Sequence, residues 1–192
     1  YHPDLQIAGC CRMCLVEVEK MPKLATSCST MAGDGMVVHT PHTSEKVKEA
    51  VRFVLELTFI NHPIDCPICD QAGECKLQDY YWEWGLYKSR LDESKVTNPK
   101  HTNIGPHVVL DADRCILCSR CVRFCREVPG SEELVIVNRG DHAEIALGTN
   151  KTLDNAYSAN VVDICPVGAH TLREFRFQKR SWFLTKTNSV CS

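Results

Sequence analysis

The segment Cys14-Leu-Val-Glu-Val-Glu-Lys20 alternates in strand fashion, with Val16 and Val18 on one side and Leu15 out of step. Met21-Pro22 marks a turn after it, and Gly33-Asp34-Gly35 ahead of Met36-Val37-Val38-His39 is a hairpin signal. From Tyr1 to about Thr43 the chain therefore reads as short strands and turns. The period then changes. Val47, Val51, Val54, Leu55 and Thr58 recur at helical spacing, Ser44 is suited to the N-cap, and Glu45 suits the helix dipole. Pro63 pushes His62 out of the helical region, so the helix stops there.

Tyr80, Tyr81, Trp82, Trp84 and Tyr87 follow in one stretch. A stacking platform for nucleic-acid bases is one reading, and packing around a buried centre is the favoured one. Residues 89–106 are polar, carry Pro99 and Pro106, and read as a linker. Val108-Val109-Leu110, Glu133–Ile136 and Glu144–Leu147 read as short strands. Leu172–Arg180, with Arg173, Arg176, Lys179 and Arg180, reads as one short basic helix or strand. A solvated or subunit-facing patch is favoured there over a nucleic-acid contact.

The 192 residues are 44% hydrophobic and 24% charged, the range of globular proteins. Lys+Arg number 22 against 24 Asp+Glu, so no basic excess points to nucleic acid or an acidic membrane surface. Phe53–Ile60 is interrupted by Glu56, so no stretch spans a bilayer, and no secretory signal is visible. The chain begins at Tyr1 and not at Met, which is the expectation for a piece of something longer or a processed product.

What changes the picture is the count of 13 Cys. A disulfide framework suits a short secreted chain with an even count, and neither condition holds. Cys-x-x-Cys recurs at 11/14, 66/69, 115/118 and 118/121, a spacing that lets two thiolates converge on one metal centre while the amides between them face the sulfurs. Thiolate ligands imply a reducing compartment such as the cytosol.

Cys115, Cys118 and Cys121, with a remote Cys165 before Pro166, form the ligand pattern of a [4Fe–4S] cube; zinc, which more often uses two separated pairs, is the rival. Cys125 fits the further C-x3-C position, but no second triplet near Cys165 exists for it to serve, so it reads as a buried thiol. Cys66, Cys69 and Cys75 leave one iron corner open. His62, four residues upstream, is expected to fill that corner, against the reading of a capping or packing histidine. Cys11, Cys14 and Cys28 are one ligand short of a [2Fe–2S] site. Cys10 is a poor fourth ligand because neighbouring side chains diverge in an extended chain, so the missing thiolate is expected before Tyr1.

These residues resemble a known family, the 75 kDa-type large iron–sulfur subunit of respiratory complex I (NADH:quinone oxidoreductase). The likeness rests on Tyr1–Lys20, Asn61–Asp79, Asn103-Ile-Gly-Pro106, Arg114–Phe124 and Asp163-Ile-Cys-Pro-Val-Gly-Ala169. It departs at Cys10, where the family often has Asn, and at His170, where it often has Leu.

The resemblance implies an α+β fold of three small modules. Residues 1–43 are expected to form a β-grasp [2Fe–2S] ferredoxin module. Residues 44–88 are expected to form a short helical [4Fe–4S] module with one His and three Cys ligands, followed by a linker over 89–106. Residues 107–192 are expected to form a ferredoxin-like, all-cysteine [4Fe–4S] module leading into a molybdopterin-enzyme-like domain, which Cys191 would open.

One [2Fe–2S] and two [4Fe–4S] clusters are implied. They would relay electrons from NADH and flavin on a partner subunit, through the [2Fe–2S] site, the all-cysteine cube and the His-ligated cube, toward quinone. The partners implied are the flavin- and NADH-binding subunit and other subunits of the peripheral arm. The membrane arm is an indirect partner, nucleic acid is not one, and the chain does not itself span the membrane. The place implied is peripheral, on the cytoplasmic side of the bacterial inner membrane or the mitochondrial matrix side. The chain would be a subunit of an oxidoreductase without a catalytic site of its own, since no GxGxxG or Walker loop is present. Two alternatives are the iron–sulfur subunit of an NAD-linked hydrogenase or formate dehydrogenase and, more remotely, a metal-stapled nucleic-acid-binding module.

Overall fold

The alternating stretch forms strand β1 (Leu15–Val18), the centre of a three-stranded antiparallel sheet with β2 (Ala25–Thr26) and β3 (Val38–His39) on its two edges. The glycine turn exists: Met36 N–H donates to the Gly33 carbonyl at 3.2 Å, and Gly35 is left-handed. It does not make a hairpin. The strand after it returns to β1, pairing Glu17 with His39, and not to β2. The structure is a computed structural model and describes residues 1–190. Cys191 lies outside the described residues.

Helix α1 (Glu45–Phe59) begins where its cap predicts. Ser44 Oγ accepts from Val47 N–H at 3.3 Å and donates to Glu17 Oε2 at 2.6 Å, tying the helix start to β1. Val47, Val51 and Leu55 are buried at intervals of four, and α1 packs on β1 and on α2 (Lys76–Trp84). Its last turn carries no basic residue. Lys95 supplies the cation there, donating to the carbonyls of Ile60 and His62 at 3.1 Å each. Residues 89–106 therefore do more than link. They also bury Ile104 and contribute β4 (Thr102–Asn103), which pairs with β5 (Val108–Leu110).

The second sheet runs β4-β5-β8, with β8 (His170–Leu172) antiparallel to β5. A separate hairpin joins β6 (Leu134–Val137) to β7 (Glu144–Leu147). Helices α3 (Arg120–Glu127) and α4 (Asn160–Ile164) pack together beside these sheets. Val108, Leu110, Leu134, Leu153 and Val161 fill the core. The start of the chain reaches this core too. Leu5 is buried in it, Gln6 N–H donates to Glu127 Oε2 at 3.0 Å, and Arg120 donates to the Tyr1 carbonyl at 3.1 Å.

The stretch Leu172–Arg180 is neither a helix nor a strand beyond Leu172. Phe177 is left-handed, at φ 59°, and its N–H donates to Asp70 Oδ1 at 2.9 Å. Arg180 donates to the carbonyls of Cys69 and Pro67, and Ser181 Oγ to that of Ala72 at 3.0 Å. The segment straps the loop that carries Cys66, Cys69 and Cys75. Among the described residues no helix is long and apolar enough to cross a membrane.

Candidate metal centres

His62, Cys66, Cys69 and Cys75 line one hollow of about 420 Å³, open solvent included. The end of α1 and Pro63 deliver His62. A single 3-10 turn over Cys66–Ile68 carries the first cysteine, left-handed Gly73 (φ 86°) reverses the chain, and Cys75 occupies the N-cap position of α2. Burial pushes His62 down to about 4, and its Nδ1 has no partner among the described residues. Burial raises the thiols of Cys69 and Cys75, and nearby Cys66 raises both further. Backbone amides oppose this: Gln71 donates to Cys69, and Leu77 and Gln78 to Cys75.

Cys115, Cys118, Cys121 and Cys165 line a second hollow of about 300 Å³, likewise partly open. Leu117 (φ 53°) and Ser119 (φ 59°) are both left-handed, which coils the loop so that its amides face inward. Leu117 N–H donates to Cys115 Sγ at 3.4 Å and the Arg120 amide does the same for Cys118, while Cys165 Sγ donates to the Val167 carbonyl at 3.0 Å. Burial pushes Cys115 to about 12 and Cys165 to about 11, and lifts Cys121 well above its ordinary value. Cys125 is completely buried in the core behind this site, absent from the walls of the hollow, with its thiol pushed by burial to about 11.

The first group is more open. Cys11 is exposed, Cys14 and Cys28 half-buried. Burial raises Cys14, but hydrogen bonds from the backbone and thiol of Cys28 outweigh it and hold it low; Cys28 is raised by that same hydrogen bond, by burial and by the charges of Cys14 and Cys11. Arg12, left-handed at φ 57°, turns the chain between Cys11 and Cys14. Cys10 is exposed and close enough to Cys118 to raise that thiol.

The donor sets suit an iron–sulfur core. Buried thiols crowded together resist ionisation unless a cation lies among them, and a coordinated thiol is deprotonated outright. Among the described residues no three His, Cys, Asp or Glu side chains stand close enough together to hold a single ion; the donors instead stand around hollows. The two hollows share a wall. Val167 lines both, and Gly168 lies so close to Cys69 Sγ that a Cβ at position 168 would clash with it.

An ion network clamps the two sets beside that wall. Arg114, which precedes Cys115, holds Asp65, which precedes Cys66, at 2.8 Å and also holds Asp111 at 3.0 Å. Arg114 and Asp111 are both buried.

Sequence reasoning missed the left-handed residues between the cysteines, the strap by Arg180 and the Arg114–Asp65 clamp. None leaves a periodic signal. The aromatic stretch divides: Tyr81 lines the first hollow and Trp84 packs on the core, whereas Trp82 and Tyr87 are exposed. Tyr80 is exposed as well, so packing around a buried centre holds for Tyr81 alone of the five residues.

Three family models match the chain. They are a 2Fe-2S iron-sulfur cluster binding domain over residues 2–43, the NADH-ubiquinone oxidoreductase-G iron-sulfur binding region over 52–90, and the ferredoxin-like domain of NADH-quinone oxidoreductase subunit 3 over 105–171. The G subunit of the NADH-quinone oxidoreductase of Rickettsia bellii is 45% identical over 190 residues, covering 99% of this chain and 28% of that protein. The NADH-ubiquinone oxidoreductase 75 kDa subunit of Reclinomonas americana is 47% identical, covering 99% and 27%. The chain thus spans under a third of the length of these relatives. A chain of an NAD+-reducing [NiFe]-hydrogenase, solved in its H2-reduced state, superposes with a TM-score of 0.79 at 30% identity, covering 93% of this chain and 76% of that one.

Proposed function

The chain belongs to the family of the 75 kDa-type iron–sulfur subunit of NADH-quinone oxidoreductase, and on that premise we propose that it is an electron-relay segment of an NADH-oxidising, quinone-reducing complex. The observation that carries this reading is the pair of hollows, each lined by four donors of the expected type and sharing Val167 as a lining residue. His62, Cys66, Cys69 and Cys75 hold one [4Fe–4S] cluster, and Cys115, Cys118, Cys121 and Cys165 hold the other. Cys11, Cys14 and Cys28 hold a [2Fe–2S] cluster, with its fourth ligand before Tyr1, in a β-grasp module. Such clusters supply one-electron exchange when bound.

The chain's own part is to hold, insulate and orient. Inward amides stabilise the thiolates, the apolar wall excludes water, and the Arg114–Asp65 clamp fixes one donor set against the other. No residue in either hollow is required to move a proton. The partners are the flavin-bearing subunit and its neighbours in the peripheral arm. The apolar face left on α1 by Phe53 and Leu57, each more than half exposed, suits burial in such an assembly. Resemblance in fold to the hydrogenase chain favours the NAD-linked hydrogenase as the second reading. Against it stands the lone Cys165, where that class normally carries a paired triplet.

The test is iron and acid-labile sulfide per full-length subunit purified anaerobically, with EPR after reduction. Two cubes and one [2Fe–2S] give about 10 Fe. His62→Cys is expected to keep the cube and lower its midpoint potential, because a thiolate adds negative charge. Zinc without labile sulfide, or an unchanged midpoint in the variant, would sink the respective assignments.

A further inference from the structure

His170 is 2% exposed and stands in β8 opposite Leu110. It lines the hollow of Cys115, Cys118, Cys121 and Cys165, and its backbone N–H already donates to Cys165. Both ring nitrogens are sealed from solvent, and neither finds a partner among the described residues. Burying an imidazole with two unmet polar atoms is costly, and an apolar side chain would fill the same space without that cost. A buried histidine ordinarily satisfies at least one nitrogen on a protein group. Here the space that the ring borders is the space the cluster fills.

We propose that His170 is a hydrogen-bond donor to a sulfur of the all-cysteine cluster, holding that cluster's reduction potential above the value its four thiolates alone would set. The inference rests on the ligand assignment proposed above. Either tautomer of the imidazole, and the protonated ring as well, carries at least one N–H to offer. An N–H pointed at a cluster sulfur stabilises the more negative, reduced state, and hydrogen bonds to sulfur are among the levers that set cluster potentials. His170 is not a ligand. It acts on electrons already held by the four cysteines, so its removal leaves the cluster in place and moves its midpoint.

The experiment uses the assembled complex with the full-length subunit, labelled with histidine that carries 15N in the imidazole ring only. In the wild type, pulsed EPR is expected to show weak imidazole 15N couplings on the all-cysteine cluster. The strong, ligand-type coupling of His62 belongs to the other cluster. His170→Leu is expected to abolish the weak couplings and move this midpoint alone to a more negative value. His170→Gln, which keeps an N–H donor, is expected to recover part of the shift.

An unchanged midpoint, or weak couplings that survive in His170→Leu, would overturn the proposal. If that variant does not assemble, the wild-type spectrum decides by itself, and a cluster without weak histidine coupling again overturns it. A wild type that lacks this cluster while holding the other two would defeat the ligand assignment instead, and would be recognised by about four missing iron atoms per chain.

Discussion

Cys121 and Cys125 sit one helical turn apart on α3, yet only the first reaches the hollow. The second is held in the core, where the Ser131 N–H bonds its carbonyl at 2.9 Å and Glu133 bears on its thiol. Cys125→Ser is therefore expected to leave all EPR signals in place and to lower stability by about 1–3 kcal/mol, since a hydroxyl is harder to bury than a thiol. Loss of a cubane signal in this variant would count against the ligand assignment. At this scale the sequence anticipated which cysteines meet around each hollow, because C-x2-C spacing is a local geometric demand. It was blind to the left-handed residues at 12, 117 and 119, since a non-glycine residue forced into that region by its neighbours looks like any other in the chain.

Among the elements, α1 was the most legible, because its buried face and its cap are both written within one stretch. Leu55, 1% exposed, anchors that face. Leu55→Ala is expected to cost about 2–5 kcal/mol in chemical denaturation and to loosen the helix end that presents His62, so the His-ligated signal should broaden before the all-cysteine one. The misread elements share a cause. The hairpin predicted at Gly33–Gly35 failed because β3 pairs with a distant strand. The basic helix or strand predicted at 172–180 failed because its partners, Asp70 and the carbonyls at 67 and 69, lie about a hundred residues upstream. Long-range pairing overrides local pattern where the local pattern is short.

For the whole molecule, the decisive interaction is Arg114 with Asp65 and Asp111. Removing one member of a buried charge cluster costs more than the cluster gains when intact, because the partners are left bare. Arg114→Met leaves the buried Asp111 without its cation and Asp65 with only the more distant Lys100, at 3.9 Å. It is expected to lower the thermal stability of the assembled subunit by about 3–5 kcal/mol, with both cubane signals diminished in EPR and the [2Fe–2S] signal kept. Equal loss of all three signals would point to global unfolding and against a clamp local to the two cubes.

The shared wall at Val167 and Gly168 has a consequence for how such a chain can be rearranged. A linker over 89–106 invites cutting, as though the two cube-bearing parts were interchangeable units. The wall denies this. The loop that completes the second donor set also closes the first, with Gly168 against Cys69, so a chimera joined within 89–106 inherits one half of each parent's partition. Only exchanges that carry the loop at 165–168 together with the strap at 176–181 and both cysteine loops would transplant a whole unit. The indivisible block of this protein therefore runs from the end of α1 to the strap, and the linker lies inside it.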